Sequence, residues 1–175
     1  LLAMSAVHHY LISRRKRSQI AVIVESGEVC ETMHVALLMG YGASGVNPYM
    51  AFAILKALTA SGELQLDFEA AERHYIKAVD KGMLKIMSKM GISTLRSYRS
   101  SQLFEAVGLN RELIDEFFPG TVSRVGGIGL DEIAAECNQR AAQNAEHGDK
   151  LDAGGQYKYK KGGENHLWNP QTLQA

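Results

Sequence analysis

The sequence predicts an α/β fold in which βαβ units of a partial parallel sheet come first, a helical C-terminal half follows, and an irregular tail ends the chain. Three observations support this prediction. The run Gln19–Val24 is apolar and β-branched without alternation, as in a parallel strand buried on both faces. A helical stripe and then a second strand-like segment, Val46-Asn47, follow this run, which is the order of a βαβ unit. From Gly148 onward the chain is polar and glycine-rich, without a helical or strand period.

The first helix is predicted from Leu1, Met4, Val7 and Leu11, which recur at spacings of three and four residues. The basic cluster Arg14–Arg17 follows where this helix should end, and cations there complement the negative end of the helix dipole. An anion-binding role for the cluster is the alternative. Because the chain opens within a helical stripe and without methionine, we expect it to be a piece of a longer protein.

The rest of the N-terminal region is predicted to be a helical stripe over Cys30–Tyr41, a turn at Gly42–Gly45, a strand at Val46–Asn47, a helix over Met50–Leu58 and a loop over Thr59–Leu66. In this interpretation Asn47 is the N-cap of the last helix, and Pro48 is its first-turn residue. A proline is favoured there because the first helical amides need no partner within the helix.

The remaining elements are predicted to be a long helix over Phe68–Met90, a short strand at Ile92–Leu95, a helix over Tyr98–Val107, a helix over Asn110–Phe118, a turn at Gly126–Gly129 and a helix from Asp131. Gly82 lies inside the longest of these helices. Because glycine costs a helix about 1 kcal/mol relative to alanine, a break at this residue is a possible outcome.

The composition excludes several classes of protein. The chain has 175 residues, which suits one domain or one domain and a tail, and 46% of them are hydrophobic. Nineteen basic residues balance nineteen acidic ones, so nothing favours a nucleic acid or a membrane surface as partner. The two cysteines, Cys30 and Cys137, are too few for a disulfide scaffold or an iron–sulfur cluster. We therefore expect a cytoplasmic protein without a membrane span.

Two motifs match signatures whose structural context is missing. Gly40–Gly45 fits the dinucleotide pattern G-x-G-x-x-G, but that mechanism needs a strand before the glycines and a helix after them. Here a helix precedes them, so a helix-ending turn is the favoured interpretation. Ser13–Lys16 fits S-x-x-K, but the chain contains neither of the partner motifs S-D-N and K-T-G.

Two further groups of residues are candidate sites. Cys30 and His34 stand four residues apart on a predicted helix and could supply two metal ligands, but a core-facing stripe is the favoured interpretation, and no metal site is predicted. Glu25, Ser26 and Asn47 follow the two predicted strands, at the edge where α/β sheets bind ligands. A capping or turn role for these three is equally compatible with the sequence.

The segment Lys85–Arg99 is unusual because four cations and four serine or threonine hydroxyl groups surround one glycine, Gly91. One interpretation is a helix that ends at Gly91, with its last carbonyl groups facing Lys85 and Lys89. The other is a polar lining that contacts a neighbouring domain or a ligand. Sequence reasoning alone leaves both open.

This segment and others, collinear along nearly the whole chain, closely resemble the large subunit of glutamate synthase. The resembling stretches are Ser5–His9, Ala36–Ala43, Asn47–Phe52, Lys89–Thr94, Ser97–Arg99, Gln102–Ala106, Ser123–Arg124, Gly127–Ile133 and Trp168–Pro170. The resemblance departs at three places. Ser100-Ser101 stands where the family commonly has Gly-Ala, Leu167 replaces a usual arginine, and Glu28–Val35 is less typical.

The resemblance implies an enzyme that makes two glutamates from glutamine and 2-oxoglutarate, by channelling ammonia and by flavin reduction of 2-iminoglutarate. The family carries FMN and a 3Fe-4S cluster, and its electrons come from NADPH, NADH or ferredoxin. The resemblance also makes the predicted sheet barrel-like and incomplete. Residues 1–119 would end the central domain, and residues 120–175 would link to and open the FMN-binding (β/α)8 barrel.

The resemblance assigns no catalytic or cofactor-binding residue to this chain, and we expect the isolated chain to be inactive and to retain neither FMN nor the cluster. Lys89, Ser93, Tyr98 and Arg99 are the candidates for contact with the flavin domain or the ammonia tunnel. The expected partners are the remaining domains of the same subunit, with a small NADPH-oxidising subunit or ferredoxin as electron donor. The alternative is a standalone, non-catalytic α/β interaction module.

Overall fold

The computed structural model of the chain describes residues 1–147, 154–155 and 158–174. They form two compact units, Leu1–Gly129 and Leu130–Ala175. The domain boundary predicted between residues 119 and 120 stays a prediction.

The first unit contains α1 (Leu2–Ser13), a 3-10 turn (Arg17–Gln19), β1 (Ile23–Glu25), α2 (Thr32–Gly40), β2 (Gly45–Asn47), α3 (Tyr49–Ala60), α4 (Phe68–Met90), α5 (Leu95–Tyr98), β3 (Glu105–Leu109), α6 (Arg111–Phe117) and β4 (Val122–Ile128). The second contains α7 (Leu130–His147) and α8 (Pro170–Gln174). The α/β class is therefore confirmed.

The first predicted βαβ unit is confirmed. Strands β1 and β2 are parallel, with Ile23 opposite Gly45 and Glu25 opposite Asn47, and α2 connects them. Burial on both faces is wrong, however, because Ile23 is 70% exposed. Val24, the next residue, packs on the core from the other face of this two-stranded sheet.

The predicted N-cap of α3 is also wrong. Pro48 itself is the N-cap, and Asn47 is the last residue of β2. Asn47 donates instead from Nδ2 to Oε2 of Glu25, at 2.8 Å across the sheet. The amide side chain is thus engaged by the neighbouring strand and is not free to cap the helix.

Helix α4 spans the predicted residues without a break at Gly82. It begins at an N-cap, Asp67, whose carboxylate accepts from the amide of Ala70 at 2.6 Å, and it ends at Gly91, where φ is 70°. A Cβ at Gly82 would lie 2.5 Å from Cγ2 and 2.6 Å from Oγ1 of Thr32. The glycine therefore lets α2 and α4 approach each other closely, which explains its presence in mid-helix.

A second βαβ unit, β3–α6–β4, replaces much of the predicted helical C-terminal half. The two strands are parallel, with Glu105 opposite Val122 and Leu109 opposite Ile128. The predicted helix Asn110–Phe118 is confirmed as α6, for which Asn110 is the N-cap and accepts from the amide of Leu113 at 2.9 Å.

Three predictions in this region are wrong. Ile92–Leu95 is not a strand, because Thr94 caps a helical turn and accepts from the amide of Ser97 at 3.2 Å. Tyr98–Val107 is not a helix, because Arg99 is extended and the backbone then turns left-handed before β3. Gly126–Gly129 is not a turn, because β4 runs to Ile128 and Gly127 lies directly against the carbonyl of Gly108.

The first unit has two hydrophobic clusters. One contains Met4, Val29, Leu38 and Ala43, and the other contains Ala36, Met83, Met87 and Tyr98. Because α2 contributes to both clusters, it fixes α4 and the segment after it relative to the first sheet.

The second unit begins with α7, which confirms the helix predicted from Asp131. Of the predicted irregular tail, residues 148–153 and 156–157 lie outside the described residues, and the described part includes the short helix α8. The strands form two separate two-stranded sheets in the part of the chain described here, so the barrel-like arrangement stays a prediction. No helix within residues 1–147, 154–155 and 158–174 is long and apolar enough to cross a membrane.

Candidate functional site

The segment Lys89–Arg99 contains the last two residues of α4 and the whole of the short helix α5. The chain reverses at Gly91, whose left-handed conformation lets the amide of Ile92 donate to the carbonyl of Met87 at 2.9 Å. The side chains of Lys89, Ser93 and Arg99 are exposed.

Tyr98 is the anchor of this segment. Its side chain is completely buried against Ala36, Met83 and Met87, and its hydroxyl donates to the carbonyl of Ala36 at 2.9 Å. Burial raises the pKa of the Tyr98 phenol. Tyr98 therefore fastens the exposed polar residues on either side of it to the core.

A strained turn follows Tyr98. Ser100 and Gln102 have positive φ values of 66° and 52°, a left-handed conformation that costs residues other than glycine roughly 1 kcal/mol or more. Two hydrogen bonds hold the turn, from the amide of Ser100 to the carbonyl of Met39 at 3.2 Å, and from the amide of Gln102 to the carbonyl of Gly40 at 3.0 Å. The end of α2 thus sets the direction in which the chain leaves the segment.

Arg99 lies beside an open, polar cavity of about 580 Å³. Arg99 Nη1 donates to Oγ of Ser44 at 3.4 Å. The lining includes two more arginines, Arg17 and Arg96, and no acidic residue lines the cavity within the part of the chain that the structure describes. The cavity is therefore a concentration of positive charge in a chain of zero formal net charge.

Arg17 is held rigidly at this cavity. Its Nε donates to Nδ1 of His8 at 2.9 Å and its Nη1 to the carbonyl of Ile20 at 2.7 Å, while Nη2 donates to the carbonyl of Gly42. Burial, followed by the nearby charge of Arg99, lowers the pKa of Arg17.

His8 is neutral because its Nδ1 accepts this bond and its side chain is buried. Burial, then the charges of Arg17 and His9, lower the pKa of His8 from 6.5 to about 4. The ring of His8 also lies directly over Gly42, where any side chain would overlap it. His8 therefore fixes both the guanidinium and the turn that carries Ser44.

The structure separates the four predicted contact residues into two groups. Tyr98 belongs to the core, whereas Lys89, Ser93 and Arg99 present exposed side chains. Of the four, only Arg99 is among the residues that line the basic cavity.

The other candidate motifs have structural roles. The glycine motif follows α2 and precedes β2, the order that the sequence indicated, and Tyr41 in this motif bonds through its hydroxyl to Oγ1 of Thr121 at 2.7 Å. Oγ of Ser13 donates to the carbonyl of Tyr10 at 2.8 Å, as in an ordinary helix end. Glu25, Ser26 and Asn47 meet at one sheet edge as predicted, where their hydrogen bonds join the two strands and the following turn.

The predicted Cys30–His34 helix stripe is wrong. Cys30 precedes α2 and is exposed, so it does not face the core. Its Sγ lies 3.8 Å from Nδ1 of His34. Among the described residues, no group of three or more histidine, cysteine, aspartate or glutamate side chains could hold a metal ion.

Sequence reasoning did not find the basic cavity. It placed Arg17 in a cluster at the end of the first helix and Arg96 and Arg99 in the segment after α4, without a reason to join them. The two parts are about 80 residues apart in the chain. Only the packing of α1 and α2 against the later segment brings them together.

Comparisons with known proteins give one consistent family. Residues 1–110 match the family described as "Glutamate synthase central domain". The chain is 45% identical, over 175 residues, to the "Glutamate synthase [NADPH] large chain" of Bacillus subtilis (strain 168), with 99% of this chain and 12% of that relative covered.

The names of two further relatives give other electron donors. The chain is 40% identical to the "Ferredoxin-dependent glutamate synthase" of Cyanidium caldarium, with 100% of this chain and 12% of the relative covered. It is 37% identical to the "Glutamate synthase [NADH]" of Saccharomyces cerevisiae, with 99% of this chain and 9% of the relative covered. The chain thus spans about an eighth or less of the length of these three relatives.

Proposed function

The chain belongs to the glutamate synthase central-domain family, and from that membership we propose that it is a scaffold and domain interface within a glutamate synthase large subunit. Residues 1–119 would end the central domain, and residues 120–175 would link it to the FMN-binding (β/α)8 barrel. The observation that carries the proposal is the collinear match over 99% of the chain to a large chain of which it covers only 12%. The whole protein would be cytoplasmic and would convert glutamine, 2-oxoglutarate and reductant into two glutamates.

The FMN and the iron–sulfur cluster of such an enzyme would be held by other parts of the subunit. Iron–sulfur clusters are held by cysteine thiolates. The two cysteines, Cys30 and Cys137, belong to different compact units and are too few for a cluster. The residues of this chain therefore do not fit the cluster, and we assign it no cofactor contact and no catalytic group.

The proposed interface includes Lys89, Ser93 and Arg99, which are exposed on the segment that Tyr98 anchors. In this proposal they contact the flavin domain or the wall of the ammonia tunnel. Tyr98 acts as a positioning residue, since its own hydroxyl is already bonded to the carbonyl of Ala36.

The bare faces of the two small sheets support a role as an interface. Parallel sheets are normally covered on both faces. Here β4 is exposed along all seven residues, and Ile23, Val107, Val122 and Val125 each expose more than half of their surface. We infer that further chain of the same subunit covers these apolar side chains.

The choice of electron donor would be made outside this chain. Relatives named for NADPH, ferredoxin and NADH are 37% to 45% identical to it over essentially its whole length. A scaffold shared by all three classes explains that similarity. A small NADPH-oxidising subunit or ferredoxin would accordingly dock on another part of the large subunit.

The test is a charge reversal in the full-length large subunit, Lys89→Glu with Arg99→Glu. We expect glutamine-dependent glutamate formation to fall at least tenfold, because two charges at the interface are inverted, while hydrolysis of glutamine continues. Lys56→Glu with Arg73→Glu is the matched control, since both residues are exposed on α3 and α4.

Equal activity of the two double variants would contradict the interface. A reading frame that starts and stops at the ends of this chain would instead favour the standalone interaction module.

A further inference from the structure

The basic cavity is shaped for a ligand that this chain does not itself supply. Its lining includes Arg17, Arg96 and Arg99 together with the hydroxyl-bearing Ser18, Ser44 and Ser100, and none of the described residues that line it is acidic. A volume of about 580 Å³ falls in the range of small-molecule sites, roughly 300–1,000 Å³.

The arginines of this cavity have no acidic partner in the part of the chain described here. The ion pairs found there join Arg73 to Glu69, Arg111 to Asp115 and Arg124 to Glu105. Three uncompensated guanidinium groups around one cavity repel one another, and the charge of Arg99 lowers the pKa of Arg17 in the same sense. A bound anion would remove this repulsion.

The side chain of Arg17 is preorganised for binding such an anion. A guanidinium group has five N–H donors, and the bonds to His8, Ile20 and Gly42 use three of them. Two donors therefore remain on a side chain whose position is already fixed. Because little side-chain entropy is left to lose, binding at Arg17 is favoured over binding at a freely rotating surface arginine.

The count of charges distinguishes the kind of anion. A single carboxylate brings one negative charge and two oxygen atoms, whereas a phosphate group brings nearly two charges and at least three acceptor oxygens. Three cations and the hydroxyl groups of Ser44 and Ser100 match the charge and the acceptor oxygens of a phosphate group better than those of a carboxylate. Arginine is also the residue whose planar donors suit phosphate geometry.

We propose that the cavity between Arg17, Arg96 and Arg99 binds a phosphate group as a dianion. Arg17 is the fixed part of the site, and the exposed Arg96 and Arg99 close on the ligand from the other side. This proposal and the domain contact proposed above share Arg99, and they are distinguished by Lys89 and Ser93, which belong only to the domain contact, and by Arg17 and Arg96, which belong only to the cavity.

The test is calorimetric titration of the full-length large subunit with inorganic phosphate, glycerol 3-phosphate and acetate. We expect both phosphates to bind with one site per chain, and acetate to bind at least tenfold more weakly. Tighter binding of glycerol 3-phosphate would identify a phosphorylated metabolite as the natural ligand. Equal binding of both phosphates would identify the free ion.

Two double variants complete the test. Arg96→Gln with Arg99→Gln should weaken phosphate binding at least tenfold, without changing the far-UV circular dichroism. Arg73→Gln with Arg111→Gln removes the same charge from two exposed helix positions and should leave binding unchanged. The absence of phosphate binding, equal weakening by both pairs, or acetate binding as tight as phosphate binding would each overturn the proposal.

Discussion

At the scale of single residues, the turn after Tyr98 stores strain that one substitution should release. Ser100 has a φ of 66°, and no hydrogen bond of its side chain compensates for this in the described residues. The family that the chain resembles commonly has glycine there, and glycine adopts this conformation without a steric penalty. Serine at position 100 therefore lowers the stability of the fold relative to glycine at the same position.

Ser100→Gly should raise the free energy of unfolding by roughly 0.5–1 kcal/mol, because the left-handed strain disappears. Urea titration followed by circular dichroism measures the change. Ser88→Gly is the control, since this exposed serine lies inside α4, where glycine should destabilise the helix by about 0.5–1 kcal/mol. If both variants lost stability to the same extent, strain at Ser100 would be refuted.

The next residue offers a separate prediction. Oγ of Ser101 is buried without a hydrogen-bond partner among the described residues, and the family commonly has alanine at this position. Ser101→Ala should therefore stabilise the chain by about 1 kcal/mol, because an unsatisfied buried hydroxyl is removed. The same urea titration measures it, and a loss of stability would show that the hydroxyl is bonded after all.

His8 predicts a dependence of stability on pH. Its folded pKa of about 4 lies below the ordinary value of 6.5, so the unfolded chain takes up a proton that the folded chain does not. The stabilisation is complete above pH 6.5 and is lost as the pH falls toward 4. Between pH 7.5 and 5 we expect a loss of about 2 kcal/mol from this residue.

His8→Asn tests this prediction, because the amide oxygen can accept from Arg17 but does not titrate in this range. The variant should show a clearly smaller decline in unfolding free energy between pH 7.5 and 5. Burial also lowers the pKa of His9, so a part of the decline remains. His74→Asn, on an exposed position of α4, should keep the full decline. An unchanged decline in His8→Asn would be evidence against a neutral, buried His8.

At the scale of elements, a helix could be predicted where residues within it mark its course. Features that depend on the pairing or packing of separate segments could not be predicted. Helix α4 was predicted to the residue, because its long apolar stripe and Gly91 mark it locally. Strand β3 was missed, because its residues were assigned to the end of a helix over Tyr98–Val107 and the glycines of its partner β4 were assigned to a turn. The basic cavity was missed because Arg17 meets Arg99 only through tertiary packing.

The close approach of α2 and α4 gives a prediction at this scale. Gly82→Ala should destabilise the chain by about 1–3 kcal/mol although alanine favours a helix, because the new Cβ would lie 2.5 Å from Thr32 Cγ2. Thermal unfolding of the variant measures the loss. Adding Thr32→Ala removes both close side-chain atoms and should recover part of the stability. A Gly82→Ala variant more stable than the parent would show that the helices do not touch here.

At the scale of the whole molecule, this chain leaves several surfaces bare. The first unit has two small hydrophobic clusters, while β4 is exposed along its whole length and the motif around Arg99 is polar and anchored. The chain covers 12% of the length of two of its relatives. If the exposed faces are interfaces to the rest of the subunit, a piece of this length is expected to leave them bare.

Hydrogen exchange read by mass spectrometry tests this claim most directly, by comparing the 175-residue chain with the full-length large subunit. We predict that amides of Val122–Ile128 and Leu95–Arg99 exchange at least tenfold more slowly in the full-length subunit, since further chain covers them. The loop 61–67 serves as an internal reference and should exchange at the same rate in both. Equal rates in all three segments would contradict the account.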